Sequence, residues 1–336
     1  MAATTYTGTG ASLSISNAVN NVSFKPDFVW IKSRSAATDN TVYDSVRGAQ
    51  SRLETNNTDA QVTSDGGLTA FDTGGFTLST LAQVNTNTAT YVGWQWQAGQ
   101  GSTSSNTSGS ITSTVSVNAT AGFSIVTYTG TGANATVGHG LGVAPKMIIV
   151  KRRDSATNGD WFTYTSTTGN GNALFLNLTN ASSASALAWN NTSPTSSVFS
   201  IGTSTGVNAS ASTYVAYCFA AVAGYSAFGS YTGNGSTDGP FVYCGFRPRY
   251  VLIKRTDTTN DWIVYDSARS TFNAAAAYLF PDLSNAEGTG SGSSDLVDFT
   301  ANGFNLRCTT LAETASGGTY IFAAFAENPF KNALVR

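Results

Sequence analysis

FKPDFVWIKSRS, residues 24–35, comes back twice further along the chain, as VAPKMIIVKRRD at 143–154 and as FRPRYVLIKRTD at 246–257. Proline, an apolar run and a lysine, three times in one order, mark a unit of fold rather than a reactive motif, because self-similarity at long period is the mark of repeat architecture. Proline is tolerated at the entrance of a strand, where its missing N–H breaks no ladder. The runs FVWI, MIIV and YVLI are continuous rather than alternating, which points to strands buried on both faces. One face of a sandwich strand meets its own core. The other therefore needs a neighbouring copy or another chain over it, and the lysine or arginine that ends each run is expected to return the strand to solvent at the rim.

The surroundings recur as well. Openings TYTGTG (5–10), TYTGTG (127–132) and SYTGNG (230–235) precede the phrase, with Pro26, Pro145 and Pro248 at 20, 17 and 17 residues beyond Tyr6, Tyr128 and Tyr231. An aromatic strand follows in NTVYDSVR (40–47), DWFTYTST (160–167) and DWIVYDSAR (261–269). Next come segments built on Phe, LTAFDTGGFTL (68–78), SSVFSIG (196–202) and LVDFTANGFNL (296–306), and closing strands TYVGWQWQAG (90–99), TYVAYCFAAV (213–222) and TYIFAAFAEN (319–328). Units of roughly 100 residues with turn signals every 8–12 residues predict an all-β fold of three tandem antiparallel β-sandwich, jelly-roll-like repeats. The expected boundaries are 1–99, a Gly/Ser/Thr-rich linker or arm at 100–120 in which SITSTVSVN alternates like an edge strand, 121–224, and 225–336 with a C-terminal tail. The long first linker predicts that the second and third units are closely coupled and the first is set apart. The closing strands of the second and third copies are apolar on both faces, which predicts packing between copies or between chains, with a homotrimer favoured.

Composition narrows the function. Only 11% of the 336 residues are charged and the net charge is −2, so there is no basic field for nucleic acid. No apolar stretch is long enough for a membrane helix, and MAATTYTGTG lacks the pattern of a signal peptide. Cys218, Cys244 and Cys308 follow no CxxC spacing and read as buried free thiols; Cys244 and Cys308 are the one pair placed for a bridge.

No catalytic, cofactor or metal residue is expected. The single histidine, His139 in GHGLG, has no nucleophile elbow to serve and reads as a turn residue. Asp44 and Asp266 of YDSVR and YDSAR, each with an arginine three residues on (Arg47 and Arg269), read as turn-capping acids; the second copy has Thr165 instead. YTGTG lacks the Lys-Ser/Thr and the helix of a phosphate loop. Trp94, Trp96, Trp161 and Trp262 are candidate ligand-contact aromatics for stacking on a sugar, with core filling the competing reading for Trp161 and Trp262. The stretches 50–67, 168–197 and 270–295 differ most between copies and are the candidate binding loops.

The set YTGxG, GFxPxxVxIK, YDSxR, GFxL and TYxxxAF, closing on ENPFKNALVR, resembles a family of tailed-bacteriophage virion proteins common in marine and cyanobacterial phages, whose repeats carry these landmarks and end on a similar PFK…R tail. The resemblance covers nearly the whole chain; the second copy departs furthest, with VAP for FxP. It implies a non-enzymatic virion structural protein made in the host cytoplasm, most simply a tail fibre or tail-associated component in host attachment. Its partners would be other virion proteins, itself, and a host surface glycan or protein. A capsid decoration or head-fibre protein is the alternative, since Met1 stands only five residues before Tyr6 of the first unit and three tandem units could occupy a threefold position. A polysaccharide depolymerase ranks third, as it requires paired carboxylates in a groove.

Overall fold

The computed structural model describes residues 1–18 and 23–327; the PFK…R tail lies outside the described residues. The chain is all-β; among the described residues there are three four-residue helices (Ala82–Asn85, Ala186–Trp189, Thr205–Asn208). One strand order occurs in three places. In the first unit the main sheet runs Ala2–Thr7, Thr90–Trp96, Phe28–Ser33, Thr41–Asp44, Leu53–Glu54. In the second it runs Phe123–Thr129, Thr213–Phe219, Met147–Arg152, Phe162–Thr165, Asn172–Phe175, Ser183–Ala184. In the third it runs Ser226–Thr232, Thr319–Ala326, Pro248–Arg255, Trp262–Asp266, Ala277–Leu279, Gly288–Thr289. These five recurring strands are called opening, closing, lysine, aromatic and outer strand below. A small antiparallel sheet covers one face of each main sheet: Leu13–Ser16 with Gly75–Leu78 and Leu68–Asp72, Ala135–Gly138 with Val198–Ile201, and Phe241–Tyr243 with Gly303–Leu306 and Val297–Thr300.

Side-chain alternation divides each main sheet between two cores. Val29, Ile31 and Tyr91 face the small sheet of the first unit, as Ile148, Val150 and Tyr214 do in the second and Val251, Ile253 and Tyr320 in the third. The opposite faces meet one another in a single shared core. Phe28, Trp30, Trp94 and Trp96 join Met147, Ile149, Tyr217 and Phe219 and also Tyr250, Leu252, Ile321 and Phe325. This is what the continuous apolar runs encode: each lysine strand is buried on both sides, Phe28–Ser33 at every residue. Each large side chain so buried contributes roughly 1.5–3 kcal/mol. The three sheets cover each other within one chain, which is the packing between copies that the apolar closing strands called for.

The first unit is not set apart. It contributes to the shared core alongside the other two, and the apolar character of its own inner face, rather than linker length, decides its position. The linker is also more than a spacer. Ser113–Asn118 pairs with the opening strand of the second unit and Ser104–Asn106 extends that sheet, while Ile111 bridges to Val137 and so covers the edge of the second small sheet.

The repeated openings have a local cause. A side chain at Gly8, Gly130 or Gly233 would run into the carbonyl of Thr86, Ala209 or Ala315 respectively, in the loop before the closing strand. Opening and closing strands are further locked by stacked tyrosines, Tyr6–Tyr91, Tyr128–Tyr214 and Tyr231–Tyr320, with ring centroids 5.0–5.1 Å apart.

Candidate functional site

The junction of the three sheets holds most of the residues singled out in the sequence. Trp94, Trp96, Trp161 and Trp262 are all at most 2% exposed, so none offers a ring face to a sugar. They belong to the shared core, because their strands place them on the face that another unit covers. Trp96 packs edge-on against Phe219, Tyr250 and Phe325 of the other units. At the centre lies an apolar cavity of about 30 Å³ whose walls include Trp30, Trp96, Trp161, Tyr217 and Phe325. That is room for about one water, in a setting without the polar partners a water needs.

Two sets of side-chain donors cross the seams in one cyclic direction, each unit reaching into the one before it. Trp161 Nε1 donates to the Glu54 carbonyl at 2.8 Å, Trp262 Nε1 to the Phe175 carbonyl at 2.8 Å, and Asn40, which stands where those tryptophans stand, donates through Nδ2 to the Phe280 carbonyl at 3.1 Å. Four residues further on, Lys151 Nζ donates to the Thr58 carbonyl at 2.7 Å, Lys254 to Thr179 at 3.0 Å and Lys32 to Ser284 at 2.9 Å. The loops 54–58, 175–179 and 280–284 are therefore gripped at both ends by the neighbouring unit. A backbone bond closes each seam, from Gln61 to Arg153, Ser182 to Thr256 and Glu287 to Arg34, at 2.8–2.9 Å. Arg34 adds an ion pair with Glu287 at 2.8 Å.

The lysines thus correct the expectation of a solvated rim. Lys32, Lys151 and Lys254 are fully buried, and burial lowers each to about 8 despite nearby carboxylates. A lysine at the end of a strand reads as solvated only while the adjoining unit, whose carbonyls receive it, is out of sight. Likewise 50–67, 168–197 and 270–295 are not free loops, since each contains a gripped segment and an outer strand.

Asp44 and Asp266 do cap their turns. Asp44 Oδ1 accepts from the amides of Val46 and Arg47, and Oδ2 pairs with the Arg47 guanidinium. Asp266 does the same with Ala268 and Arg269. Both also serve the junction: Tyr217 O–H donates to Asp44 Oδ2 at 2.7 Å, and Trp94 Nε1 to Asp266 Oδ2 at 2.9 Å. Burial, the largest single influence, would raise the Asp266 carboxyl; the Arg269 charge together with the hydrogen bonds from Arg269 and Trp94 outweighs it and holds the group below its ordinary range. In the second unit the pair is the neutral Thr165–Thr168, joined Oγ1 to Oγ1 at 3.0 Å. The residue of the third unit at the Trp94 and Tyr217 position is Ala323, which has nothing to donate. Donor and acceptor are missing together.

His139 is buried, with Nε2 3.1 Å from the Thr195 carbonyl and Nδ1 accepting from the Leu141 amide. Desolvation lowers its pKa, which leaves it neutral and structural. All three cysteines are free; burial raises the Cys244 and Cys308 thiols to about 12. Among the described residues there is no group of three or more His, Cys, Asp and Glu placed to hold a metal ion, and no helix is long and apolar enough to cross a membrane. The third unit alone buries the carboxyl of Glu313, beside Tyr265, Thr310 and Cys308, and burial raises it to about 7.

The surface holds features that sequence reading passed over. Phe241 and Tyr243, 50% and 67% exposed, stand two residues apart on one face of the edge strand of the third small sheet, and Phe272 is 84% exposed. The matching strand of the first unit presents Ser14 and Ser16, and that of the second is covered at its edge by Ile111. Period-two alternation in FVYC was the available signal.

Fold and junction together define an all-β chain in which three like-ordered sandwiches close around one core. The chain belongs to the family described as Domain of unknown function (DUF7483), which it matches over residues 1–329, a span that takes in all three units. No curated protein and no solved structure matches it.

Proposed function

We propose that this chain is a non-enzymatic structural protein of a bacteriophage virion, serving as an attachment module of the tail. The observation that carries the reading is the shared core: three sandwiches lock into one rigid body whose conspicuous polar groups are spent on its seams. Such a body presents a surface. Its repeated turn acids Asp44 and Asp266 are engaged in capping and bridging, and its exposed aromatic groups Phe241, Tyr243 and Phe272 stand on the third unit. The partner would be a host surface glycan or protein that meets this aromatic strand.

A capsid decoration protein is the second reading, favoured by the cyclic order of the seams. A single chain that arranges three units in one rotational sense suits a threefold position on a shell.

The test has three arms. Gold-labelled antibody on purified particles places the protein on tail or head, and its absence from particles overturns both readings. Phe241→Ala with Tyr243→Ala is expected to weaken binding of the purified protein to host cells while leaving its melting temperature unchanged; undiminished binding removes that strand as the attachment surface. Release of sugar from host polysaccharide by the purified protein would overturn the non-enzymatic assignment.

A further inference from the structure

Each gripped loop is fastened to its own unit through its middle residue. In the first unit Asn56 Oδ1 accepts from the Asn40 amide at 2.8 Å, and Asn56 Nδ2 donates to Asp39 Oδ1 at 2.7 Å. In the second, Asn177 Oδ1 accepts from the Trp161 amide at 2.9 Å and Nδ2 donates to Asp160 Oδ1 at 2.8 Å. In the third, the middle residue is Asp282. Its oxygens take the Trp262 amide at 3.2 and 3.3 Å, and Asp261 stands where Asp39 and Asp160 stand. An amide that donates has been exchanged for a carboxyl group that donates only when protonated. Two carboxylates so placed, with Asp282 5% exposed, repel each other unless they share a proton.

We propose that loop 280–284 is a proton-operated latch: with a proton between Asp282 and Asp261 it is fastened like the other two loops, and loss of that proton loosens it and the grip of the first unit upon it.

The surroundings support this. Burial first, and Asp261 second, push Asp282 up to about 7, with Lys254 pulling the other way; burial raises Asp261 as well. From the first unit, Lys32 reaches the Ser284 carbonyl two residues along, with Asp39 beside it, and Thr55 and Asn40 hold the carbonyls of Pro281 and Leu283. The second unit meets Lys254 with the neutral Thr179 carbonyl. The seam so controlled joins the first unit to the third. Chain crosses the other two seams, at 100–120 and 223–226, whereas this one is closed by side chains and backbone bonds alone.

The sign follows from linkage. A carboxyl group whose pKa is raised in the latched state stabilises that state at low pH and loses this as pH climbs through the raised value. Between pH 6 and pH 8 a latched value of about 7 against an ordinary 3.8 lowers the latched-to-loosened ratio about tenfold. The Met1 amine, buried against the Tyr225 hydroxyl at the same seam and lowered to about 5, acts in the opposite direction, so the measurement compares two proteins at each pH.

Hydrogen exchange of the amides in 280–287 is followed at pH 6 and pH 8, corrected for intrinsic rates, in the natural sequence and in Asp282→Asn. The natural protein should lose about tenfold more protection there than the variant, while loops 54–58 and 175–179 behave alike in both. Identical pH profiles, or an equal loss in all three loops, would overturn the latch. Should Asp282→Asn fail to fold, Asp261→Asn decides: its amide donates to Asp282, so the same flattening is expected, and an unflattened profile refutes the proposal.

Discussion

Tyr217→Phe removes one hydroxyl and keeps the ring. In the structure that hydroxyl donates to Asp44 Oδ2 across a seam at 2.7 Å, with tyrosine and aspartate both essentially buried. A hydrogen bond to an ionised partner is worth about 1.5–3 kcal/mol. Asp44 keeps the Arg47 guanidinium and two backbone amides, so the carboxylate is not orphaned, and the lower half of that range applies: about 2 kcal/mol. With an unfolding entropy near 2.1 cal/mol/K per residue over 336 residues, this lowers the melting temperature by roughly 3 °C. Urea unfolding should be followed by tryptophan fluorescence, which reports the shared core, and by far-ultraviolet circular dichroism, which reports strands throughout. Coincident curves are expected before and after substitution, because the shared core ties the sandwiches into one cooperative body. The cycle with Asp44→Asn should give a coupling of at least about 1 kcal/mol, as contacting partners do. A loss below about 0.5 kcal/mol, a coupling near zero, or a fluorescence transition preceding the strand transition would refute the view that the seam contacts hold the units together.

Lys151→Met should cost about 1–3 kcal/mol near neutral pH, because the carbonyls of Thr58 and Gly159 lose their donor; chemical denaturation reads this directly. Lysines lowered to about 8 when folded, against 10.5 when free, bind fewer protons folded than unfolded between those values. Stability should therefore rise from pH 8 to pH 9.5, and the rise should be smaller in Lys151→Met. Gly130→Ala drives a methyl group into the Ala209 carbonyl and should lower stability by about 1–3 kcal/mol, whereas alanine at the exposed Phe241 should change it by less than about 0.5 kcal/mol. Thiol titration of the folded protein should leave Cys218 and Cys308 unreacted until denaturant is added, with Cys244 the first to respond.

The strands, their grouping into sandwiches and the double burial of the lysine strands were legible because periodicity records burial. FVWIK has no polar face, and a strand without one is enclosed. What encloses it is a relation between distant segments, and nothing local encodes it. Hence the lysines were misread, the first unit was expected to stand apart, and Trp94 and Trp96 were offered to a ligand. The gripped loops escaped for a different reason. Their middle residues lie 16, 16 and 20 residues beyond the amides they cap, so the shared Asn of the first two was hidden by the longer third. The turn acids were read correctly as caps, but their second task could be inferred only by noticing that the copy lacking Asp and Arg is followed by a copy lacking the aromatic donor.

That double absence can be tested by building the missing contact. Thr165 and Thr168 occupy the places of the Asp–Arg pair, and Ala323 that of the donor. Across the opening strand, Ala3 lies opposite Trp94, Ile125 opposite Tyr217 and Phe228 opposite Ala323. The third unit has thus moved its aromatic bulk from the closing to the opening strand, where Phe228 packs on Phe219 and Phe325. A void of about 10 Å³ remains beside Thr165, Phe228 and Ala323, too small for a tyrosine. Ala323→Tyr alone should therefore overpack the seam and cost about 1–3 kcal/mol. Adding Phe228→Ala should recover part of that loss by returning the space. Adding Thr165→Asp with Thr168→Arg should then supply the acceptor, and the fourfold variant should exceed the Phe228→Ala/Ala323→Tyr pair by about 1–2 kcal/mol, the value of one charge-assisted bond less the cost of burying a third Asp–Arg ion pair. Tyrosine at 323 would then donate to the new aspartate as Tyr217 does to Asp44. If the four substitutions together are less stable than the two, the cyclic rule is an accident of two seams rather than the principle by which this chain closes on itself.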